Sequence, residues 1–94
     1  MHEMGLAEGI LAVALDVAGE ERIERVRVRV GELQRVAPDS LRFCFELAAQ
    51  ETSAASAVLD VDVTAGSDTM VEAVKVTSGW RRRPGGDPNA AQVT

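Results

Sequence analysis

The sequence contains few of the residues that build metal, disulfide or catalytic sites. Among its 94 residues are one cysteine, Cys44, and one histidine, His2. A single cysteine excludes an internal disulfide, and the two residues together cannot supply the four ligands of a tetrahedral structural zinc site. The chain also has no P-loop, no Ser/His/Asp set and no second histidine for a hydrolytic zinc site. These absences argue against an enzyme.

Aromatic residues and long apolar runs are scarce as well. The aromatic residues are Phe43, Phe45 and Trp80, so we expect a modest core built mainly from Val, Leu, Ile and Ala. No apolar run approaches the roughly 20 residues that a membrane span needs, and no secretory signal pattern opens the chain. We therefore expect one small domain in the cytoplasm, with no membrane partner.

Acidic residues outnumber basic ones, and the excess is unevenly placed. Residues 1–78 hold 7 basic and 14 acidic residues, a net charge of −7, whereas residues 79–94 carry +2, from three arginines and one aspartate. The negative net charge of residues 1–78 would repel a polyanion. Nucleic acid is therefore not an expected partner.

Two segments have the apolar spacing of amphipathic helices. The first runs from Glu3 to Ala18, and the second lies within APDSLRFCFELAAQET, where Pro38 suits a first turn and Asp39 favours the helix N-terminus. The residues expected on the buried stripes are Leu6, Ile10, Val13 and Val17 in the first helix, and Leu41, Cys44, Phe45 and Ala48 in the second.

Three segments alternate with the period of two that is typical of strands. RVRVRVGE directs Val26, Val28 and Val30 to one face and Arg25, Arg27 and Arg29 to the other. In VLDVDVT the inward residues are expected to be Leu59, Val61 and Val63, with Asp60 and Asp62 outward. MVEAVKVT is predicted to return as an antiparallel hairpin after the turn AGSD.

The order helix, strand, helix, strand, strand predicts an α+β fold, with two helices packed on one face of a small mixed three-stranded sheet. The helical crossover makes the first two strands parallel, and the hairpin makes the last pair antiparallel. We assign residues 1–78 to this αβ domain. Residues 79–94, rich in Gly and Pro, are predicted to form a flexible tail.

The opening MHE combines donors that could bind a metal ion. The α-amine of Met1, the first backbone amides and the imidazole of His2 can close chelate rings around one ion, and square-planar Ni(II) and Cu(II) favour such nitrogen donors. A bulky second residue hinders removal of Met1, which keeps the spacing between amine and imidazole. From position alone, an exposed histidine at a frayed terminus remains the commoner case.

Three stretches together resemble the HypA/HybF family of nickel metallochaperones in hydrogenase maturation: MHEMGLAE, RVRVRVGELQRVAPDSLRFCFELAAQET and VLDVDV, within residues 1–64. The resemblance implies nickel bound through the Met1 amine and His2, with Glu3 contributing a backbone amide or orienting the imidazole. It also implies partners: a GTPase accessory protein, the hydrogenase large-subunit precursor and a second copy in a homodimer, at least transiently.

The chain departs from this family at one place. Family members carry a zinc-binding module with two CxxC-type pairs between the second and third strands, and here the module is absent between Val63 and Asp68. No structural zinc is expected. The leading hypothesis is thus a non-enzymatic Ni(II) carrier for [NiFe] hydrogenase or another nickel enzyme. The main alternative is a paralogue without the zinc module that acts as a protein-interaction adaptor. A third hypothesis is that Cu(II) is the better-bound ion, as expected for a nitrogen site.

Other residues have two interpretations each. Cys44, between two phenylalanines, is expected in the core rather than as a ligand. Glu3 could equally sit at the positive end of the first helix. The row Arg25, Arg27 and Arg29 is a solvated face or a docking strip for an acidic partner. The arginines 81–83 beside Trp80 are expected in a solvated tail rather than on RNA or an acidic surface.

Overall fold

The computed structural model describes residues 2–82 and 92–93, with side chains for residues 3–82. Two helices, α1 (His2–Ala18) and α2 (Pro38–Ala49), combine with five strands and a 3₁₀ turn at Glu32–Gln34. The strands are β1 (Ile23–Gly31), β2 (Val58–Thr64), β3 (Thr69–Val76), β4 (Gly79–Arg81) and β5 (Gln92–Val93). The α+β class predicted from the sequence is confirmed.

The strands form one mixed sheet in the order β2-β1-β3-β4, with β5 also paired to β3. β1 pairs with β2 in parallel, as predicted, and with β3 in antiparallel. The predicted β2–β3 hairpin is wrong, because β1 lies between β2 and β3. The predicted count of three strands is also wrong, because β4 and β5 join the sheet. The parallel register places Asp60 and Asp62 opposite Arg27 and Arg29, so the charges of β1 and β2 are complementary.

The core lies between the helices and one face of the sheet. Val26, Val28 and Val30 of β1 are all buried, as their alternation predicts. In α2, Leu41 and Phe45 are buried as predicted, whereas Cys44 is partly buried against the core and Ala49 completes the stripe.

The buried face of α1 is shifted from the predicted stripe. Its buried residues are Ala7, Ile10, Leu11, Ala14 and Ala18, whereas three of the four predicted positions are only partly buried. Alanine side chains allow close approach of the helix to its neighbours, so the packed face is centred on small residues instead of on the largest ones.

β2 is less covered than its alternation suggests. Leu59 is buried as predicted and Val61 is partly buried, but Val63 is 47% exposed. Val63 thus lies on the predicted inward face but is not buried there. The pattern of β2 correctly assigns Val63 to the same face as Val30, its partner in the register; the neighbouring elements leave that end of the strand uncovered.

The connection from β2 to β3 is four residues long, Ala65–Asp68, and it packs against the end of β1. The Gly31 amide donates to the Asp68 carbonyl at 2.7 Å, and the Leu33 amide donates to the Gly66 carbonyl at 2.9 Å. A Cβ on Gly31 would lie 2.6 Å from the Gly66 carbonyl carbon and 2.7 Å from the Ser67 nitrogen. Glycine at position 31 is what permits this close passage of two backbones.

The segment predicted as a tail contributes two short strands. β4 pairs with β3 through Lys75 opposite Trp80, and β5 pairs with β3 through Thr69 opposite Val93. Residues 83–91, which include Arg83, and residue 94 lie outside the described residues. Within the described part of the chain, no helix has both the length and the apolar character needed to cross a bilayer.

Candidate metal centre

The residues predicted to bind nickel lie at the start of α1. The helix begins at His2, and Glu3 lies in its first turn. The first four amides of an α-helix have no acceptor within the helix, so the amide nitrogens of His2 and Glu3 are outside its hydrogen-bond ladder. Met1 and the His2 imidazole lie outside the atoms that the structure describes. The ligand set of Met1, His2 and Glu3 therefore stays a prediction.

The first turn of α1 extends beyond the part of the helix that is anchored in the core. Glu3 and Met4 are partly exposed and Gly5 is exposed, whereas burial begins with Ala7. No heavy atom lies within 4 Å of the position that a Cβ on Gly5 would take. Among the described residues, space is thus open beside Gly5.

Electrostatics at this end combine two opposing effects. The N-terminus of a helix carries about half a positive charge, which disfavours a bound cation. The Glu3 carboxylate in the first turn and the net charge of −7 over residues 1–78 act in the opposite direction. The Glu3 carboxylate and the net negative charge of residues 1–78 therefore act against the repulsion that the helix dipole would exert on a divalent ion.

The rest of the described chain does not assemble a metal cluster. Over residues 2–82 and 92–93, no group of three or more His, Cys, Asp or Glu side chains is placed to hold an ion. Cys44 lies partly buried on α2, among core residues. With one cysteine and one histidine in the whole sequence, the residues do not fit a four-ligand zinc site of the kind that the resemblance implies.

The arginine row of β1 does not form an unneutralised cationic strip. On the open face of the sheet, three of the four cations lie in ion pairs and the fourth lies over an aromatic ring: Arg25 with Asp60 at 2.7 Å, Arg29 with Glu72 at 2.9 Å, Lys75 with Glu24 at 3.4 Å and Arg27 at 4.6 Å from the Trp80 ring centroid. Two of the three arginines of the row are thus paired with carboxylates of this chain, and the docking-strip interpretation for an acidic partner stays a hypothesis.

Sequence reasoning missed a polar cluster that joins the end of α1 to β4. The Arg81 guanidinium donates to the Ala18 carbonyl at 3.0 Å and pairs with Glu21, while the Ser78 hydroxyl donates to the same carboxylate at 3.0 Å. These hydrogen bonds from Ser78, with the charge of Arg81, lower the pKa of Glu21 below its usual range. The partners are about 60 residues apart, so no local pattern indicates them.

Comparison with known proteins identifies the family. A family model described as hydrogenase/urease nickel incorporation, metallochaperone, HypA matches residues 1–78. The hydrogenase maturation factor HypA of Azoarcus sp. (strain BH72) is 38% identical over 79 residues, which are 81% of this chain and 69% of that protein. The factor of the same name from Methanopyrus kandleri is 39% identical over 87 residues, 89% of this chain and 58% of that protein.

A third relative, the hydrogenase maturation factor HypA of Rhizobium leguminosarum bv. viciae, is 36% identical over 81 residues, 83% of this chain and 72% of its own length. The relatives from two Nostoc strains and from Trichormus variabilis are matched over only 54% of their length. The chain thus spans between about half and seven tenths of the relatives that it matches. Because the family model matches residues 1–78, which are most of the chain's length, the chain belongs to the HypA family of nickel-incorporation metallochaperones.

Proposed function

We propose that this protein is a nickel carrier that binds Ni(II) at the start of α1 and delivers it during the maturation of a nickel enzyme. The ligands are the Met1 amine, the amide nitrogens that follow it and the His2 imidazole. The observation that carries the proposal is that the family match extends to residue 1, where the sequence places these nitrogen donors. Four nitrogen donors in one plane suit Ni(II).

The start of the helix favours this chemistry, because binding there breaks no helical hydrogen bond. Coordinated amide nitrogens must lose their protons, and the amides of His2 and Glu3 have no acceptor within α1. The amine and the imidazole also release protons, with unperturbed pKa values of about 7.7 and about 6.5. Nickel affinity therefore falls steeply as the pH drops through this range.

Glu3 has a supporting role in this proposal. Its amide is one of the candidate nitrogen donors, and its carboxylate can orient the His2 imidazole or offset the positive end of α1. Replacing Glu3 with Gln retains the amide and removes the charge, so it separates the two contributions. We expect Glu3→Gln to weaken nickel binding modestly and His2 substitution to abolish it.

Delivery requires partners that this chain does not contain. By its family, we propose a GTPase accessory protein and the precursor of the [NiFe] hydrogenase large subunit, or another nickel enzyme, as partners, with a homodimer forming at least transiently in the cytoplasm. The protein itself catalyses no reaction in this account. The alternative is an adaptor that binds proteins without delivering metal; the four-residue link at Ala65–Asp68, where relatives are expected to carry the zinc module, favours it.

Calorimetry with tag-free protein tests the carrier against the adaptor. Ni(II) is titrated into the native protein, into a form with two residues added ahead of Met1, and into His2→Gln, whose bulky second residue keeps Met1 in place; mass spectrometry verifies the terminus. The carrier requires one site per chain in the native protein that the extension and the substitution both remove. Equal binding by all three forms, or none by the native form, overturns the carrier. Cu(II) titrated in parallel measures selectivity.

A further inference from the structure

The two edges of the sheet differ in how they are protected. The β3 side is extended by β4 and, near its start, by β5. On the other side, no strand lies beside β2 among residues 2–82 and 92–93. An unpaired strand edge presents a row of amide and carbonyl groups that can pair with another extended chain. β2 is therefore the edge at which a partner strand can be added.

Part of this edge is already occupied by a side chain. Arg42 of α2 donates from Nε to the Leu59 carbonyl at 3.3 Å and holds Asp39 at 2.7 Å. Alternate residues of a strand direct their amide and carbonyl groups to the same edge, so the backbone groups of Val61 and Val63 face the same way as the Leu59 carbonyl. The half of β2 that remains open is thus its C-terminal half.

Where β2 borders the open face of the sheet, its two charged side chains are both acidic. Asp60 and Asp62 lie opposite Arg27 and Arg29 in the parallel register. Asp60 is neutralised by Arg25, but Arg29 pairs instead with Glu72. Asp62 is exposed, and its carboxylate has no ion pair or side-chain hydrogen bond to any residue in the described part of the chain. The opposite face of the same edge carries the exposed, apolar Val63.

We propose that the β2 edge binds an extended segment of a partner protein in which basic and apolar residues alternate. A strand added beside β2 places every second side chain on the open face, next to Asp60 and Asp62, and the others on the helix side, next to Val61 and Val63. Lysine or arginine at the first set complements the unpaired Asp62. Valine, isoleucine or leucine at the second set covers Val63. This inference does not depend on nickel binding.

A second copy of β2 is a poor occupant of the same edge. Two identical strands related by a two-fold axis pair antiparallel, and residues at equal distances on either side of the axis lie opposite each other. Because opposite residues share a face of the sheet, the axis passes through a residue of the strand. For the seven residues of β2, each register that pairs at least five of them is centred on Asp60, Val61 or Asp62. Each of these registers places an aspartate opposite an aspartate, which destabilises the pair.

The test uses synthetic peptides and the full chain. The probe is a capped, fluorescein-labelled peptide of sequence RVRVRVR, and its control is the shuffled peptide RRRRVVV; binding is followed by fluorescence anisotropy. Two further probes carry N-methyl groups on either the valine or the arginine amides. Only one edge of an added strand bonds to β2, so one methylated peptide should lose binding and the other should keep it. Loss on valine methylation indicates antiparallel addition, and loss on arginine methylation indicates parallel addition.

Two variants separate strand addition from general attraction to an acidic protein. Asp62→Lys should weaken binding of RVRVRVR by about fivefold or more. Glu8→Lys, with the same charge change on the exposed side of α1, should leave it within a factor of about two. Amide chemical shifts in unsubstituted protein should change at Val61 and Val63. Equal binding of the shuffled peptide, equal effects of both methylation patterns, or no saturable binding would each overturn the proposal.

Discussion

The substitution Gly31→Ala tests whether the short link between β2 and β3 is an integral part of the fold. The added methyl group would lie within 2.7 Å of backbone atoms of Gly66 and Ser67, which cannot rotate away as a side chain can. The link must therefore move from the end of β1. That movement would weaken or break the hydrogen bonds that the Gly31 and Leu33 amides donate to carbonyl groups of the link.

The expected effect follows from these two contributions. Inserting a methyl group into a packed site is unfavourable by about 1–3 kcal/mol, and each backbone hydrogen bond contributes about 0.5–1.5 kcal/mol. We expect Gly31→Ala to lower the free energy of unfolding by about 2–4 kcal/mol, a large part of the stability of a domain of this size. Because a loss of 1 kcal/mol lowers Tm by about 4–8 °C in such a domain, Tm should fall by about 10 °C or more.

Gly5→Ala is the matched control, because the same methyl group is added where no heavy atom lies within 4 Å. It replaces glycine within α1 and should raise the free energy of unfolding by about 0.5–1 kcal/mol. Urea unfolding followed by circular dichroism measures both variants at one pH. If the free energy of unfolding of Gly31→Ala lies within about 0.5 kcal/mol of that of the unsubstituted protein, the link adapts freely and the reasoning about its close packing is wrong.

Three further changes probe the core, the α1–β4 cluster and the open face. Phe45→Ala, at a side chain only 1% exposed, should reduce stability by about 3–5 kcal/mol in urea unfolding. Glu21 has a lowered pKa in the fold, so its contribution is present above the pKa of the unfolded chain and is lost as the pH falls through the lower folded value. Glu21→Gln should therefore be less stable than the unsubstituted protein at pH 7, and the difference should shrink as the solution is acidified below the pKa of the unfolded chain; a difference that does not change with pH contradicts this assignment. Arg27→Ala should alter the fluorescence spectrum of Trp80, the only tryptophan, and should lower the free energy of unfolding by less than about 1 kcal/mol. An unchanged spectrum would mean that the two side chains do not stack in solution.

The strands whose two faces differ clearly in environment were the easiest to predict. β1 lies at the centre of the sheet, so its valines are covered along the whole strand and its alternation translates directly into burial. β2 has the same alternation at the edge of the sheet, and its pattern does not reveal that the cover ends before Val63. Periodicity identifies the face of a residue, but neighbouring elements decide whether that face is buried.

The order of the strands does not follow from local turn rules. The turn residues of AGSD favoured a hairpin between β2 and β3, yet four residues suffice to cross the end of β1 because Gly31 allows close passage. The aspartates of β2, the arginines of β1 and Glu72 of β3 are all visible in the sequence. The aspartates of β2 complement the arginines of β1, but Lys75 of β3 would complement them too, so these charges alone do not place β1 at the centre.

The candidate metal site and the α1–β4 cluster show what sequence does and does not carry. The nickel hypothesis came from a short local feature, the spacing of His2 from the chain's first residue, strengthened by the family resemblance. Glu21 and Arg81 meet only because β4 extends the sheet back towards the end of α1. Glycine and proline around Gly79 suggested a tail, since local composition cannot show that β3 offers a free edge.

The most direct test of the account is the electronic absorption spectrum of Ni(II) titrated into tag-free protein that begins at Met1. The account predicts the d–d band of square-planar Ni(II), growing to one equivalent per chain at neutral pH and disappearing on mild acidification. The same titration of protein with two residues ahead of Met1 should show no such band. An identical spectrum for both forms, or no band in the native protein, would contradict nickel binding at the start of α1.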